Sequence, residues 1–276
     1  MSESTQDRPV VTTADAKEQA AAAAKELKSR TGADGYDALV VLGSGWTDVA
    51  DHLGAPVIEL DAAELPGFAA PTAPGHSGRL RSLWVGAKRV AVLCGRVHLG
   101  EAHDPMAVVH PVRTVIAAGA PVVVLTGSAG SLRTDYAVGE PILVRDHINL
   151  TGASPLTGPD FTDLSRAYSA RLRGIAADAD PSLAEGVYAE VTGPELMTPA
   201  ELGMLRASGA DLVGRSLALE TIAAVEMEAE VMGLATVSND AVGGVFEPFD
   251  PDAALEAVRR HTQRLGELLN TVLMRA

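Results

Sequence analysis

Apolar positions along the chain fall into short, separate runs, each stopping at glycine or a polar residue. The segments DALVVLG, RVAVLCG, PVVVLTG, PILVRDH, ADLVG and GLATVSN share this form, which predicts strands buried on both faces. Between them lie longer stretches, among them PMAVVHPVRTVIAAG and LALETIAAVEMEAEVM. In the second, Ile222, Val225, Ala229 and Met232 recur at helical spacing, so it reads as a helix. Residues 14 to 29 are rich in alanine and other good helix formers, and Gly32 is placed to stop them, which predicts a surface helix. Thr198, Pro199 and Glu201 spell another helix start, with a capping threonine, proline in the first turn and a glutamate reaching back. It sets Met197 at the mouth of that helix. Strand–helix alternation implies an α/β fold, one domain with a mixed, largely parallel central sheet flanked by helices and ligands at the strand ends. With neither repeat nor low-complexity linker, the chain reads as a disordered tail over 1–13 and a single domain over 14–276.

Composition narrows the partners. A chain of 276 residues, 47% hydrophobic, can bury a substantial core. No apolar run approaches the roughly 18 residues of a membrane span, and the start, MSESTQDRPVVTT, lacks a signal-peptide layout. The expectation is a cytoplasmic protein. Cys94, the single cysteine, sits inside an apolar run, so it reads as a buried small residue without a disulfide partner. A formal charge of −14, from 22 Lys+Arg against 36 Asp+Glu, repels nucleic acid and anionic lipid. An anionic ligand therefore needs a local constellation.

Such a constellation is present. The run at 38–42 ends in Gly43, Ser44 and Gly45, yet a dinucleotide fingerprint needs a further glycine and a P-loop needs Gly-Lys-Ser/Thr, and both are missing. Three other segments support the turn. Residues 74–78 put His76 in a glycine loop, 95–98 put Arg96 and His98 just past a strand, and 125–130 end a strand in small residues including Ser128. Arginine, histidine, serine and glycine at converging strand ends are what an anion site in an acidic protein requires. His103, His110, His147 and His261 show no metal-ligand spacing, and Asp146-His147 reads as a packed, hydrogen-bonded pair, so no metal is assigned.

Over nearly its whole length the sequence resembles the trimeric purine nucleoside phosphorylases. The resemblance runs colinearly through LGSGW, PGHSG, GRVH, HPVR, LTGSAGSL, DHINLTGASPLTGP, FTDLSRAYS, GVYAEVTGPELMTPAELGMLRASGADLVGRS and SND. It implies a phosphorylase with inorganic phosphate as co-substrate and no other cofactor. By the resemblance, phosphate would be held by Ser44, His76, Arg96, Ser128 and Ser216, with His98 and Glu101 lining the same pocket. Asn239 would donate to the purine N7, and Tyr188 and Leu196 would fall on the nucleoside side. Phe161 matches an aromatic that reaches into a neighbouring subunit, implying a homotrimer. The glycines of the first turn would then be small so that phosphate can lie against the backbone.

The departures gather on the nucleoside side. Met197 stands where family members that use inosine and guanosine have a glutamate for the base N1 proton, and methionine is a poor acceptor. Gly100 replaces a tyrosine, Gly127 an asparagine, Arg215 a methionine, and Pro251 a histidine that meets the ribose 5′-hydroxyl. Either the pocket is refitted to another nucleoside, with Asp240 or Glu195 touching the base and Arg215 an altered or anionic sugar, or catalysis has decayed to binding. Retention of every phosphate residue favours the refitted enzyme. Glu226, Glu228 and Glu230 resemble a ribose-binding Met-Glu pair of a related hexameric family, but their place after GRS assigns them to a solvated helix face.

Overall fold

The structure is a computed structural model that describes residues 11–101, 103–242 and 250–276. Its strands are β1 (Ala38–Leu42), β2 (Pro56–Asp61), β3 (Arg79–Val85), β4 (Lys88–Cys94), β5 (Val122–Ser131), β6 (Pro141–Asn149), β7 (Ala184–Glu190), β8 (Leu212–Gly214) and β9 (Glu230–Asp240). Its helices are α1 (Thr13–Thr31), α2 (Ala50–Leu53), α3 (Pro105–Ala117), α4 (Ala170–Ala179), α5 (Pro199–Ala207), α6 (Ala218–Glu226), α7 (Pro251–Arg259) and α8 (Thr262–Arg275).

All the strands join one sheet in the order β2-β3-β4-β1-β5-β8-β7-β6-β9, and β9 also pairs with β5. The last five strands therefore close into a ring. The sheet is mixed: β4-β1-β5-β9 run parallel, while β2, β3 and the β5–β8 and β6–β9 pairs are antiparallel. Strand β1 shows why its run is apolar throughout. Leu39 and Val41 join a core with Leu27, Val112 and Val115 of α1 and α3, whereas Val40 and Leu42 join a second core with Leu53, Leu269 and Val272 of α2 and α8. Alternate side chains leave a strand on opposite faces, and helices cover both.

Local signals hold at the helix ends. Thr12 caps α1 with a reciprocal capping box to Asp15, and Gly32 ends the helix in the left-handed conformation at φ 63°. The helix thus starts earlier than residue 14, and Thr13 also bonds Thr157. It is less a surface helix than its composition suggests: Ala16, Ala20, Ala23, Ala24 and Leu27 are buried. Thr198 and Glu201 form the expected capping box on α5.

One element differs. The helix expected over LALETIAAVEMEAEVM stops at Glu226; Glu228 takes a left-handed backbone at φ 62°, and Glu230 begins β9. Pairing of Glu230 with Val122 on β5 extends that central strand pair, and this ladder overrides the helical spacing. The three glutamates share no helix face. Glu226 is largely buried and paired with Lys17, and Glu230 is paired with Arg171. Strands β2, β3 and β7 carried no clear run in the sequence.

Candidate active site

Register brings the four sequence segments to one edge. Parallel β1 and β4 pair Leu42 with Cys94, so Ser44 and Arg96 leave neighbouring strand ends together. Antiparallel β3 pairs Arg79 with the same Cys94, which sets the preceding His76 loop beside them. Parallel β5 pairs Leu125 with Val41 and carries Gly127 and Ser128 to that edge. Farther along, Gly130 of β5 faces both Val213 of β8 and Asn239 of β9. This delivers Arg215, Ser216 and Asn239 to the same mouth.

The result is a cleft of about 400 Å³. Ser44, Arg96, His98, Ser128, Ser216 and Asn239 line it, as do Gly100, Glu101, Gly127, Leu196 and Arg215. His76 stands behind Ser44, its Nε2 2.9 Å from the serine Oγ and its Nδ1 2.8 Å from the backbone N of Arg96. Burial, reinforced by the His98 and Arg96 charges, pushes the His76 pKa down to about 4. The ring is neutral at pH 7, and when Nδ1 accepts from Arg96 N–H, Nε2 carries the proton toward Ser44 and the cleft.

Arg96 is 4% exposed. Its Nε lies 3.3 Å from Glu220, its Nη2 donates to the carbonyl of Val41, and its Nη1 has no hydrogen-bond partner among the described residues. A Cβ added at Gly127 would lie 3.8 Å from that Nη1 and 3.1 Å from Ser216 Oγ, so the two groups flank the same glycine. A buried guanidinium with uncommitted donors beside a serine has the chemistry to receive an anion. Glu101 organises the opposite wall: its carboxylate accepts from His98 Nδ1 at 2.7 Å, from His98 N, and from both N and Oγ1 of Thr72. Burial alone would raise its pKa, but the Thr72 and His98 bonds hold it near 2. His98 itself is lowered by burial, against the pull of Glu101. With Nδ1–H given to a carboxylate, the neutral ring keeps its lone pair on Nε2.

Asn239 is oriented by its neighbour. Its Oδ1 accepts from Ser238 Oγ at 2.8 Å, which turns the amide donors elsewhere.

Several residues expected at the site sit differently. Tyr188 is fully buried beneath the cleft, where its hydroxyl accepts from Ser216 N at 3.2 Å; it supports Ser216 and does not line the pocket. Met197 packs against the apolar cluster of Leu132, Leu202 and Leu205 and is absent from the cleft wall, because a thioether at the mouth of α5 finds apolar neighbours there. Asp240 is exposed at the end of β9, and its carboxylate accepts from Val242 N. Glu195 is exposed, and its carbonyl accepts from Arg215. Phe161 is fully exposed. Pro251 opens α7, but its side chain lies outside the described residues.

The first turn is glycine-rich for another reason than a ligand. A Cβ at Gly43 would fall 2.6 Å from the Thr126 carbonyl and 2.8 Å from Gly127 Cα, and one at Gly45 would fall 2.7 Å from Val258 Cβ. Close packing on β5 and α7 sets those two positions. Sequence reasoning also missed Glu220, Glu190 and Thr72, whose single polar letters carry no spacing signal. Glu190, 2% exposed, is raised to about 7 by burial, against hydrogen bonds from the first turn of α6. Glu220 is raised by burial, against Arg96. Among the described residues no cluster of His, Cys, Asp and Glu could hold a metal ion. Asp146 and His147 are hydrogen-bonded through the His147 backbone N, while the ring meets Tyr168. Cys94 is buried and its thiol is pushed up to about 11 by burial.

An α/β sheet with an anion-receptive cleft at its strand ends is the class that fold and site define. Over residues 37–274 the chain matches the phosphorylase superfamily. It is 51% identical to the purine nucleoside phosphorylase of Mycobacterium tuberculosis, over 95% of this chain and 97% of that protein. It is 44% identical to that of Cellulomonas sp, over 93% of each chain, and 31% identical to that of Bos taurus, over 85% and 87%. The chain belongs to the phosphorylase superfamily and, within it, to the purine nucleoside phosphorylases.

Proposed function

We propose that this protein is a phosphate-dependent nucleoside phosphorylase that releases a purine base and a pentose 1-phosphate. The observation that carries the reading is Arg96, buried, held by Glu220 and Val41, with Nη1 uncommitted beside Ser216. Phosphate would sit between Arg96, Ser44, His76, Ser128 and Ser216. Stripped of water there, the dianion is aimed at the anomeric carbon as the C–N bond loosens toward an oxocarbenium-like state. The Nε2 lone pair of His98 would take the proton from a phosphate monoanion, leaving the better nucleophile. Asn239 would donate to the base as negative charge builds on it. The co-substrate is inorganic phosphate, no organic cofactor or metal is needed, and the compartment is cytoplasmic, with 14–276 as the catalytic domain.

The test is base release from a panel of purine nucleosides with and without phosphate. Turnover should require phosphate or arsenate, and Arg96→Ala should abolish it or raise the phosphate requirement at least tenfold. Equal rates without phosphate would mean a hydrolase, and binding without turnover would mean a decayed enzyme. We assign the fully exposed Phe161 to a neighbour's pocket in a homotrimer. Light scattering should give three subunits, and Phe161→Ala should raise the nucleoside KM while leaving the melting temperature in place; a fully active monomer overturns the assignment.

A further inference from the structure

We infer that Glu190 is a positioning residue of the phosphate site, which caps α6 from β7 and so fixes the turn that presents Ser216 to the cleft; this rests on the phosphorolysis reading, which puts phosphate at Ser216. Glu190 is 2% exposed, so it acts through another residue. Its place follows from register. Parallel β7 pairs Glu190 with Gly214 of β8, and Val191 N donates to the Gly214 carbonyl. From Gly214 the chain runs through Arg215, Ser216 and Leu217 into α6, and Ser216 lines the cleft on the way.

What needs fixing is Leu217. It stands at the N-cap of α6 with φ 89° and ψ −49°, close to the strained γ-turn conformation that residues other than glycine avoid. Its side chain is fully buried in the core, and a leucine offers no acceptor to the free N–H groups of the first helical turn. Glu190 supplies one from another strand: its carboxylate accepts from the backbone N of Ala218. Tyr188, two residues earlier and so on the same face of β7, accepts from Ser216 N at 3.2 Å. The two side chains thus hold the N–H groups on either side of Leu217. Gly214 makes room for them, since a Cβ there would fall 2.0 Å from the Tyr188 hydroxyl. Burial raises the Glu190 pKa to about 7, but charged or neutral the group keeps an oxygen lone pair for the Ala218 N–H. A turn clamped at both neighbours of its strained residue holds one geometry, and in that geometry Ser216 Oγ and Arg96 Nη1 flank Gly127.

The experiment measures the KM for inorganic phosphate and for the purine nucleoside cleaved fastest, in the wild type, Glu190→Met and Glu190→Gln. Methionine matches glutamate in length but is a poor acceptor. Glu190→Met should raise the phosphate KM roughly tenfold and leave the nucleoside KM within about twofold, as loss of one buried hydrogen bond on the phosphate side implies. Glu190→Gln keeps an acceptor and should keep the wild-type phosphate KM. In a Ser216→Ala background, Glu190→Met should have no further effect on that KM, because the residue it acts through has lost its hydroxyl. Should Glu190→Met fail to fold, Glu190→Asp, one methylene shorter and so withdrawn from Ala218, carries the same expectation. A lowered melting temperature with an unchanged phosphate KM, or an effect undiminished without the Ser216 hydroxyl, overturns the inference and leaves Glu190 a helix cap only. The rise in melting temperature on adding phosphate reads the site without turnover. Cleavage of no nucleoside, with that rise reduced in Glu190→Met and restored in Glu190→Gln, overturns the phosphorolysis reading and leaves the positioning role standing. A wild type that phosphate does not stabilise overturns both.

Discussion

At the scale of single residues, the site depends on charges that are almost wholly buried. Arg96 and Glu220 are 4% and 3% exposed, and removing one member of a buried pair typically costs about 3–5 kcal/mol, because the other stays buried alone. Glu220→Ala should lose stability of that order in urea denaturation. Phosphate then becomes the remaining counter-ion for Arg96, so adding it should raise the melting temperature of the variant more than that of the wild type. An equal phosphate shift in both proteins would mean that Glu220 and phosphate do not share Arg96. The partnership with Glu220 was not visible in the sequence. Glu220 is a lone letter in an apolar helix, whereas Arg96 stands beside glycine and histidine in a recognisable strand-end cluster.

At the scale of elements, strand ends make the site, and their spacing is set by backbone contact. Gly43 lets the turn after β1 lie against β5, where a Cβ would meet backbone atoms of Thr126 and Gly127 that cannot swing aside. Gly43→Ala should destabilise the protein by about 1–3 kcal/mol and raise the phosphate KM, because Ser44 moves with the turn. Unchanged stability would show that the strands part without strain. Strands β1, β4 and β5 could be read as apolar runs because helices cover both of their faces. By contrast, β2 shows four exposed positions in succession, being an edge strand with less to bury, and it left no run to recognise. The α6–β9 boundary failed for the opposite reason. Apolar residues continue across it, and only the ladder to β5 chooses strand over helix.

For the whole molecule, the buried titratable groups set the response to acid. Burial lowers the pKa of His76, His98, His110 and His147. Each stays neutral in the fold while the unfolded chain takes up a proton near pH 6.5, so the stability it contributes above that pH is lost as pH falls toward the folded value. Glu190 and Glu220 act in the opposite sense, since their raised pKa values favour the fold at lower pH. Four histidines outnumber two carboxylates. The melting temperature of the phosphate-free protein should therefore fall from pH 6.5 to pH 4.5; a flat or rising profile would show that the histidines are hydrated in the fold.

The amino-acid sequence alone determined the α/β class, most of the parallel strands, the stop of α1 at Gly32, the cap of α5, and the anion-binding residue types at the strand ends. Those features are written in short stretches, as periodicity, capping letters and glycine spacing, and local physics reads them. Tertiary structure decided what long-range pairing decides. It closed the ring of β5 to β9, converted the end of an expected helix into a strand, took Met197 and Tyr188 out of the cleft wall, and put Glu220 behind Arg96. It also separated two uses of glycine that look alike in the sequence: Gly43 is required by packing on β5, while Gly193 makes space for the side chain of Arg215. A residue's neighbours across the sheet are fixed by register, and register is not a local property of the chain.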